Sequence, residues 1–303
     1  MTAARQPAPP AQPPAWRAYA ALGVGVLALS MTSIFVRWSS APGPVTAFYR
    51  MAVAALLLTL PAWLGLRRLP AALPVLPLRL AVAAGALAGL DHALLSASVA
   101  LTRIANLTLL NNIAPLWVAL AAYFLFRERL PRQFWLGLAL TLGGAVFVVG
   151  YDLLAHPGLS GGDALAGLSS LFYAAYYLVT QRARRGLPVV VTMWIVNLVA
   201  AGLLLLVCLG AGYPLGGYDG RTWLVFLASG LFSQGIGYLA VAYALGRLPA
   251  SAVAPTMVAQ PVLTTLLAVP LTGEGLIWVQ WLGGAVVLLG ITLVNRRAAP
   301  VLE

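Results

Sequence analysis

Long apolar runs alternate with short polar connections along almost the whole chain. A membrane-spanning helix needs about 20 mostly apolar residues, and ten segments meet or approach that length. They are Ala18–Val36, Pro44–Leu66, Leu80–Leu101, Ile104–Phe126, Phe134–Tyr151, Ala164–Gln181, Val189–Ala211, Trp223–Leu245, Ala250–Leu271 and Trp278–Val294. Because these runs are about twice as long as a membrane β-strand requires, the pattern predicts an all-α membrane protein with ten transmembrane helices.

Composition and charge agree with this prediction and orient the helices. Charged residues make up 8% of the 303 residues, whereas soluble domains carry roughly 25%. All 18 basic residues are arginines, and they lie in short clusters between the apolar runs, which indicates topology signals rather than nucleic-acid binding. With the N-terminus in the cytoplasm, fourteen arginines lie inside and three outside. Both termini are therefore predicted to be cytoplasmic, and the proline-rich residues 1–15 are expected to form a disordered tail.

The two halves of the chain repeat each other at an offset of 146 residues. The matching pairs are Pro115 with Pro261, Glu128 with Glu274, Trp135 with Trp281, and Gly137 with Gly283. We therefore predict one five-helix repeat over residues 16–152 and a second over residues 163–297. Because five is odd, the second repeat enters the membrane from the opposite side, as in the inverted repeats of many secondary transporters. Such proteins bind substrate near the midplane, between the halves.

Ionisable residues occur deep within the second and third spans. Asp91 and His92 lie near the middle of the third span, and Arg50 lies within the second. Intramembrane ionisable groups usually face a cavity or a partner, so His92 is either a hydrogen-bonding group of a substrate cavity or a neutral residue bonded to another helix. Asp91 is a proton site, a binder of a substrate amine, or the counter-ion of Arg50.

Further polar and aromatic groups mark four other helices. Ser96 shares a face of the third span with His92, Gln234 and Tyr238 share a stripe of the eighth, and Tyr173 and Tyr177 face one way in the sixth. Pro115 and Pro261 should kink the fourth and ninth spans. The alternative reading is that these groups only bond between helices. The candidate substrate-binding residues are His92, Ser96, Asn111, Tyr173, Tyr177, Gln234, Tyr238, Met257 and Gln260.

Sequence motifs of enzymes and ATPases are missing. The chain has no Walker-type glycine loop, no HExxH motif, no nucleophile elbow and no cluster of cysteine and histidine, although such motifs would be expected for ATP-driven transport or metal-dependent hydrolysis. We therefore predict no catalytic residue, no metal site, no cofactor and no ATP. The predicted partners are a small-molecule substrate and the lipid bilayer.

Several motifs resemble a known family. They are the stretch from Ala105 through Pro115 to Glu128, its counterpart from Ser251 through Pro261 to Glu274, and Phe48-Tyr49-Arg50. The pattern resembles the drug/metabolite transporter superfamily, specifically its ten-helix EamA-type members, and among these the YddG-type exporters of aromatic and other apolar amino acids. The resemblance implies a central cavity lined by the first, third, fourth, sixth, eighth and ninth helices.

The resulting hypothesis is a bacterial inner-membrane exporter of amino acids with apolar or aromatic side chains, working as a monomer by alternating access. His92, Gln234, Gln260 and Asn111 are expected to bond the zwitterionic end of the substrate, and the tyrosines and Met257 to contact its side chain. Facilitated diffusion and proton exchange both remain open as driving forces. The alternatives are efflux of drugs or other metabolites, and a membrane-embedded enzyme or sensor without flux.

Overall fold

A computed structural model describes residues 15–67, 69, 74–99, 101–149, 160–272 and 278–296. Within these ranges the chain is helical and contains no strand. Each predicted span overlaps one or more of the described helices, and helical segments that belong to one predicted span are given one label below. In chain order they are α1 (Trp16–Ser30 and Thr32–Trp38), α2 (Gly43–Leu66), α3 (Val75–Val99), α4 (Ile104–Asn111 and Ala114–Phe124), α5 (Arg132–Val149), α6 (Gly161–Ala183), α7 (Val189–Gly210), α8 (Gly220–Ala228, Ser229–Tyr238 and Leu239–Leu245), α9 (Ala250–Met257 and Ala259–Thr272) and α10 (Trp278–Asn295). The tail, Tyr151 and Glu274 lie outside the described residues.

Most of these helices are suited to a bilayer. Eight of them are long and apolar enough to cross a membrane, and α5 is a shorter apolar helix. The remaining element, α6, has 23 residues but is more polar and is not among the eight. Eight candidate spans and one shorter apolar helix are thus established for the described residues. The total of ten spans and the cytoplasmic termini stay predictions.

Large apolar side chains cover the outside of the bundle. Leu56, Leu206 and Leu224 are 75%, 71% and 68% exposed. Such extensive apolar exposure is rare on soluble monomers and marks a membrane-facing surface. The largest buried cluster joins the inward faces of the helices and includes Leu22 and Tyr177.

Polar caps extend several helices beyond their apolar runs. Ser160 and Asp163 form a reciprocal capping box at the start of α6, and Asp219 accepts a hydrogen bond from the Thr222 amide at the start of α8. This bonding by Thr222 holds the pKa of the exposed Asp219 carboxyl below its ordinary value. Because caps satisfy the free amides of a first turn, α6 and α8 each begin three residues before the predicted spans.

The paired prolines lie next to breaks in their helices. The first part of α4 ends at Asn111 and the second begins at Ala114, so that Pro115 lies in its first turn. Similarly, α9 is interrupted after Met257 and resumes at Ala259, two residues before Pro261. A proline in a first turn removes no intrahelical hydrogen bond. The sequence predicted a kink at each proline, and the structure places an interruption there.

The middle of α8 is a π-helix over Ser229–Tyr238. Hydrogen bonds in a π-helix join residues five apart, and such segments are rare and often coincide with functional sites. Gln234 and Tyr238, both predicted site residues, lie within it.

Helices α5 and α10 cross with their backbones in close contact. A Cβ added to Gly137 would lie 2.7 Å from the Gly290 carbonyl oxygen, and one added to Gly144 would lie 2.8 Å from that of Gly283. The residue numbers of the contacting glycines rise along α5 while they fall along α10, so the two helices run antiparallel. Gly283 and Gly290 are 146 residues after Gly137 and Gly144. Gly137 thus contacts the equivalent of Gly144, and Gly144 contacts the equivalent of Gly137. The two antiparallel helices are therefore related by a two-fold axis.

The same relation holds for a second pair of contacts. A Cβ on Gly85 of α3 would lie 2.7 Å from Val199 Cβ of α7, and one on Gly230 of α8 would lie 2.6 Å from Val53 Cβ of α2. Val199 is 146 residues after Val53, and Gly230 is 145 residues after Gly85. Each half thus packs its third helix on the second helix of the other half, with a difference of one residue in the position of the third helix.

The glycine crossing provides a test of the fold. Replacing Gly144 by Val places side-chain atoms against the α10 backbone, whereas a Cβ on Gly143 meets no atom within 4 Å. Overpacking of a tight contact costs about 1–3 kcal/mol. We expect Gly144→Val to lower the free energy of unfolding by at least about 2 kcal/mol, measured by denaturing titration in detergent. Gly143→Val is the matched control, and equal losses in both variants would contradict the crossing.

Candidate functional site

Charged and polar side chains from α2, α3 and α6 meet in the interior. Arg50 Nη2 lies 3.1 Å from His92 Nε2, and His92 Nδ1 lies 3.9 Å from Asp91 Oδ2. The Ser169 hydroxyl donates a hydrogen bond to Asp91 Oδ1. These four residues, called the charge cluster below, connect two oppositely charged groups through an imidazole.

Both charges of the cluster are buried. Arg50 is 6% exposed and Asp91 is 3% exposed. Removing charges from water costs several kcal/mol each unless they are paired and hydrogen-bonded. Among the described residues no direct contact joins the guanidinium and the carboxylate, because His92 lies between them, and Arg50 Nε has no hydrogen-bond partner. The cluster therefore retains an unused donor beside two buried charges.

Helix α4 also contributes a hydrogen bond to the charge cluster. Asn111, just before the α4 interruption, donates from Nδ2 to the Ser169 hydroxyl at 3.3 Å. Asn111 also hydrogen-bonds the Asp91 side chain, so it supports Asp91 both directly and through Ser169. Ser169 was not among the predicted site residues, and the only sequence signal for it is its position one turn before Tyr173 on the same face of α6.

Tyrosines form one wall beside the charges. The hydroxyls of Tyr173 and Tyr177 are 2.6 Å apart, and the rings of Tyr176 and Tyr238 meet edge to face at 6.2 Å. Tyr238 also interacts electrostatically with both Arg50 and Asp91. Four aromatic rings from α6 and α8 thus lie next to the charge cluster and present apolar faces as well as hydroxyls.

Gln234 is paired with a residue that the sequence did not single out. Its Nε2 donates to Asn197 Oδ1 of α7 at 2.7 Å. Gln234 Oε1 and Asn197 Nδ2 have no partner among the described residues, although both atoms are buried. This amide pair joins the π-helical segment to α7, and no contact to the charge cluster accompanies it.

Three other predicted residues lie away from the charge cluster. Gln260 donates to the Leu29 carbonyl at 3.0 Å, next to the interruption of α1, and therefore bonds α9 to α1. Ser96 faces Gly43 at the start of α2, more than a turn from Asp91 along α3. Met257 is 5% exposed and belongs to the same buried cluster as Tyr177 and Tyr238. The structure therefore brings together Arg50, Asp91, His92, Asn111, Tyr173, Tyr177 and Tyr238.

A cavity of about 240 Å³ lies elsewhere, between α4 and α5. Its lining residues are Asn106, Leu109, Leu110, Asn112, Ile113, Leu142, Ala145 and Val146. None of the predicted substrate-binding residues is among them. Within the described ranges, no group of three or more His, Cys, Asp or Glu side chains could hold a metal ion.

An all-helical membrane protein with two equivalent, antiparallel sets of helices and a buried polar cluster between them has the architecture of a secondary transporter. Comparison with known families agrees. Residues 15–150 and 160–296 each match the family described as the EamA-like transporter family. The chain therefore belongs to this family, within the drug/metabolite transporter superfamily, and its repeat unit occurs twice. Membership points to a transporter rather than to an enzyme.

Solved structures share the fold. A crystal structure described only as that of a protein aligns with a TM-score of 0.79 and 21% sequence identity, over 93% of this chain and 97% of the other. At this identity the likeness shows the fold alone. No curated protein sequence matches the chain.

The contact between Ser169 and Asp91 provides a test of the cluster. A hydrogen bond to a buried charged group contributes about 1.5–3 kcal/mol. Ser169→Ala should lower the free energy of unfolding by that amount, measured by titration with denaturing detergent. Ser98→Ala is the control, because Ser98 is equally buried but bonds only the Leu95 carbonyl of its own helix. A Ser98→Ala loss as large as that of Ser169→Ala would refute the assigned contact.

Proposed function

We propose that this protein exports amino acids with apolar or aromatic side chains across the bacterial inner membrane, by alternating access around the charge cluster. The observation that carries the proposal is the burial of Arg50 and Asp91 on either side of His92. An amino acid is a zwitterion, and it requires one cationic and one anionic partner within a few ångströms of each other. A guanidinium binds a carboxylate in two-pronged geometry, and a carboxylate accepts hydrogen bonds from an ammonium group.

The tyrosine wall supports an apolar or aromatic side chain. The rings of Tyr173, Tyr176 and Tyr177 lie within 6.2 Å of one another, and aromatic pairs prefer centroid separations of about 4.5–7 Å. A phenyl or branched aliphatic group of the substrate, extending from the charge cluster, would replace contacts between tyrosine rings with apolar contacts between itself and those rings. A charged substrate side chain would have no described partner along this wall.

The position of His92 supports a competition in which the substrate and the His92 ring bind the same Arg50 guanidinium. Its ring occupies the space between Arg50 and Asp91. A bound zwitterion would displace this ring and take over its contact to the guanidinium. Because Arg50 Nε is unpartnered, the substrate carboxylate would gain a second donor at little cost.

Contacts at both ends of the bundle are compatible with an occluded state. At the predicted cytoplasmic end, the Ser251 hydroxyl of α9 donates to Glu128 Oε2 at 2.9 Å. At the opposite end, the Thr102 hydroxyl donates to Asp163 at the start of α6. In alternating access one of these contacts would open at a time, while the antiparallel contacts between the halves are rearranged.

Transport by purified protein tests the proposal. Proteoliposomes should take up radiolabelled phenylalanine, leucine and methionine above protein-free vesicles. Loss of a charge-assisted hydrogen bond of about 1.5–3 kcal/mol should weaken apparent substrate affinity about tenfold or more in Arg50→Gln. Arg221→Gln, at an exposed position at the start of α8, should transport normally.

The same assay separates the proposed function from its alternatives. If lipophilic cations compete for transport by the protein and amino acids do not, the result would indicate efflux of drugs or other metabolites. Folded protein that takes up none of these amino acids would contradict amino-acid transport.

A pH gradient distinguishes the two driving forces. If Asp91 exchanges protons for substrate, a gradient should drive accumulation by the wild type, and Asp91→Asn should no longer respond to it. Initial uptake rates measured with and without a gradient provide the comparison. Normal transport by Asp91→Asn, together with indifference of both proteins to the gradient, would exclude proton exchange through Asp91 and leave facilitated diffusion.

A further inference from the structure

The cavity between α4 and α5 lies on the outer side of the bundle, away from the charge cluster. Leu109, Leu110 and Ile113 on one face of α4 and Leu142 and Val146 on one face of α5 line it. Val146 is 41% exposed, so that the cavity borders the membrane-facing surface. In a bilayer, the molecules that reach such an opening are lipids.

The size and chemistry of the cavity select a hydrocarbon chain. Its volume of about 240 Å³ exceeds the roughly 150 Å³ that holds benzene in an engineered apolar cavity. It is below the range of about 300–1,000 Å³ found for drug-sized ligands. A segment of an acyl chain matches these limits and the predominantly aliphatic lining.

The equivalent place in the second repeat has a different lining. Of the eight lining positions only Leu142 has the same residue in the second repeat, at Leu288. Ile291 occupies the position equivalent to Ala145, and Ala252 the position equivalent to Asn106. Ile291 packs against the buried clusters of the bundle, so a larger side chain stands where the first repeat has the small Ala145.

Polar groups lie at one end of the cavity. Asn106 is 6% exposed, it hydrogen-bonds the Asp163 side chain, and its Oδ1 has no partner among the described residues. Arg103, three residues earlier, is exposed and forms no hydrogen bond or ion pair with any described residue. No side chain caps the first turn of α4, which Arg103 precedes. An exposed arginine at the uncapped start of a helix is complementary to a phosphate group.

We propose that the first repeat binds one phospholipid, with an acyl chain in the α4–α5 cavity and its phosphate at Arg103. Asn106 Oδ1 accepts a hydrogen bond from a hydroxyl of the headgroup. This proposal does not depend on which substrate the protein transports.

Native mass spectrometry of the detergent-purified protein, titrated with phosphatidylglycerol, tests the proposal. The wild type should retain one phosphatidylglycerol more tightly than dioleoylglycerol, which has the chains but no phosphate. A basic residue near a membrane surface contributes about 1 kcal/mol to the binding of an anionic lipid. Arg103→Gln should therefore weaken phosphatidylglycerol binding about fivefold and leave dioleoylglycerol binding unchanged.

Filling the cavity provides the second arm. Ala145→Ile introduces the residue of the equivalent position in the second repeat and should weaken phosphatidylglycerol binding at least about tenfold, because several buried methylene groups are excluded. Ala285→Ile, the same change at an exposed position of α10, should bind as the wild type does. Val146→Phe replaces Ala145→Ile if the latter does not fold. Wild-type binding in a folded cavity-filling variant, or equal retention of the two lipids by the wild type, would overturn the proposal.

Discussion

The burial of two opposite charges within hydrocarbon constrains the rest of the structure. Water cannot solvate Arg50 and Asp91 there, so protein groups must. Those groups come from three further places, His92 beside Asp91, Ser169 on α6 and Asn111 on α4. Holding four helices at hydrogen-bonding distance requires close backbone approach between the helices that frame them. The glycines at the α3–α7 and α2–α8 contacts provide it.

The frame of the protein is symmetric, but its chemistry is not. Glycine and valine contacts recur in both halves at equivalent positions. At the offset of 146 residues Arg50 corresponds to Val196, and at the offset of 145 residues that relates Gly85 to Gly230, Asp91 and His92 correspond to Ile236 and Gly237. The first half therefore holds both charges, and the second contributes Ser169 and the tyrosine wall. Within the described residues, the duplicated scaffold thus carries the buried charges of the cluster on one half only.

Features set by long-range periodicity were predictable from the sequence. The ten apolar runs gave the positions of the helices, and the pairs Pro115/Pro261 and Gly137/Gly283 revealed the repeat. Partner choice was not predictable, because it depends on how helices rotate against each other. Gln260 and Gln234 both resemble cavity residues in sequence, yet one bonds the Leu29 carbonyl and the other Asn197. Ser169 was not among the candidate site residues, although it lies one turn before Tyr173 on the same face of α6. The π-helical segment has no signal in apolar periodicity.

The one-sided placement of the charges has an energetic consequence for the transport cycle. In a frame with identical halves, the inward-open and outward-open states would be related by the two-fold axis and equal in free energy. Here Arg50 and Asp91 lie on one half, so opening toward one side hydrates them differently from opening toward the other. A difference of only 1.4 kcal/mol populates one state tenfold over the other. Under the proposed alternating access, the empty protein would therefore have a preferred resting orientation, and its apparent affinity for substrate would differ between the two faces of the membrane.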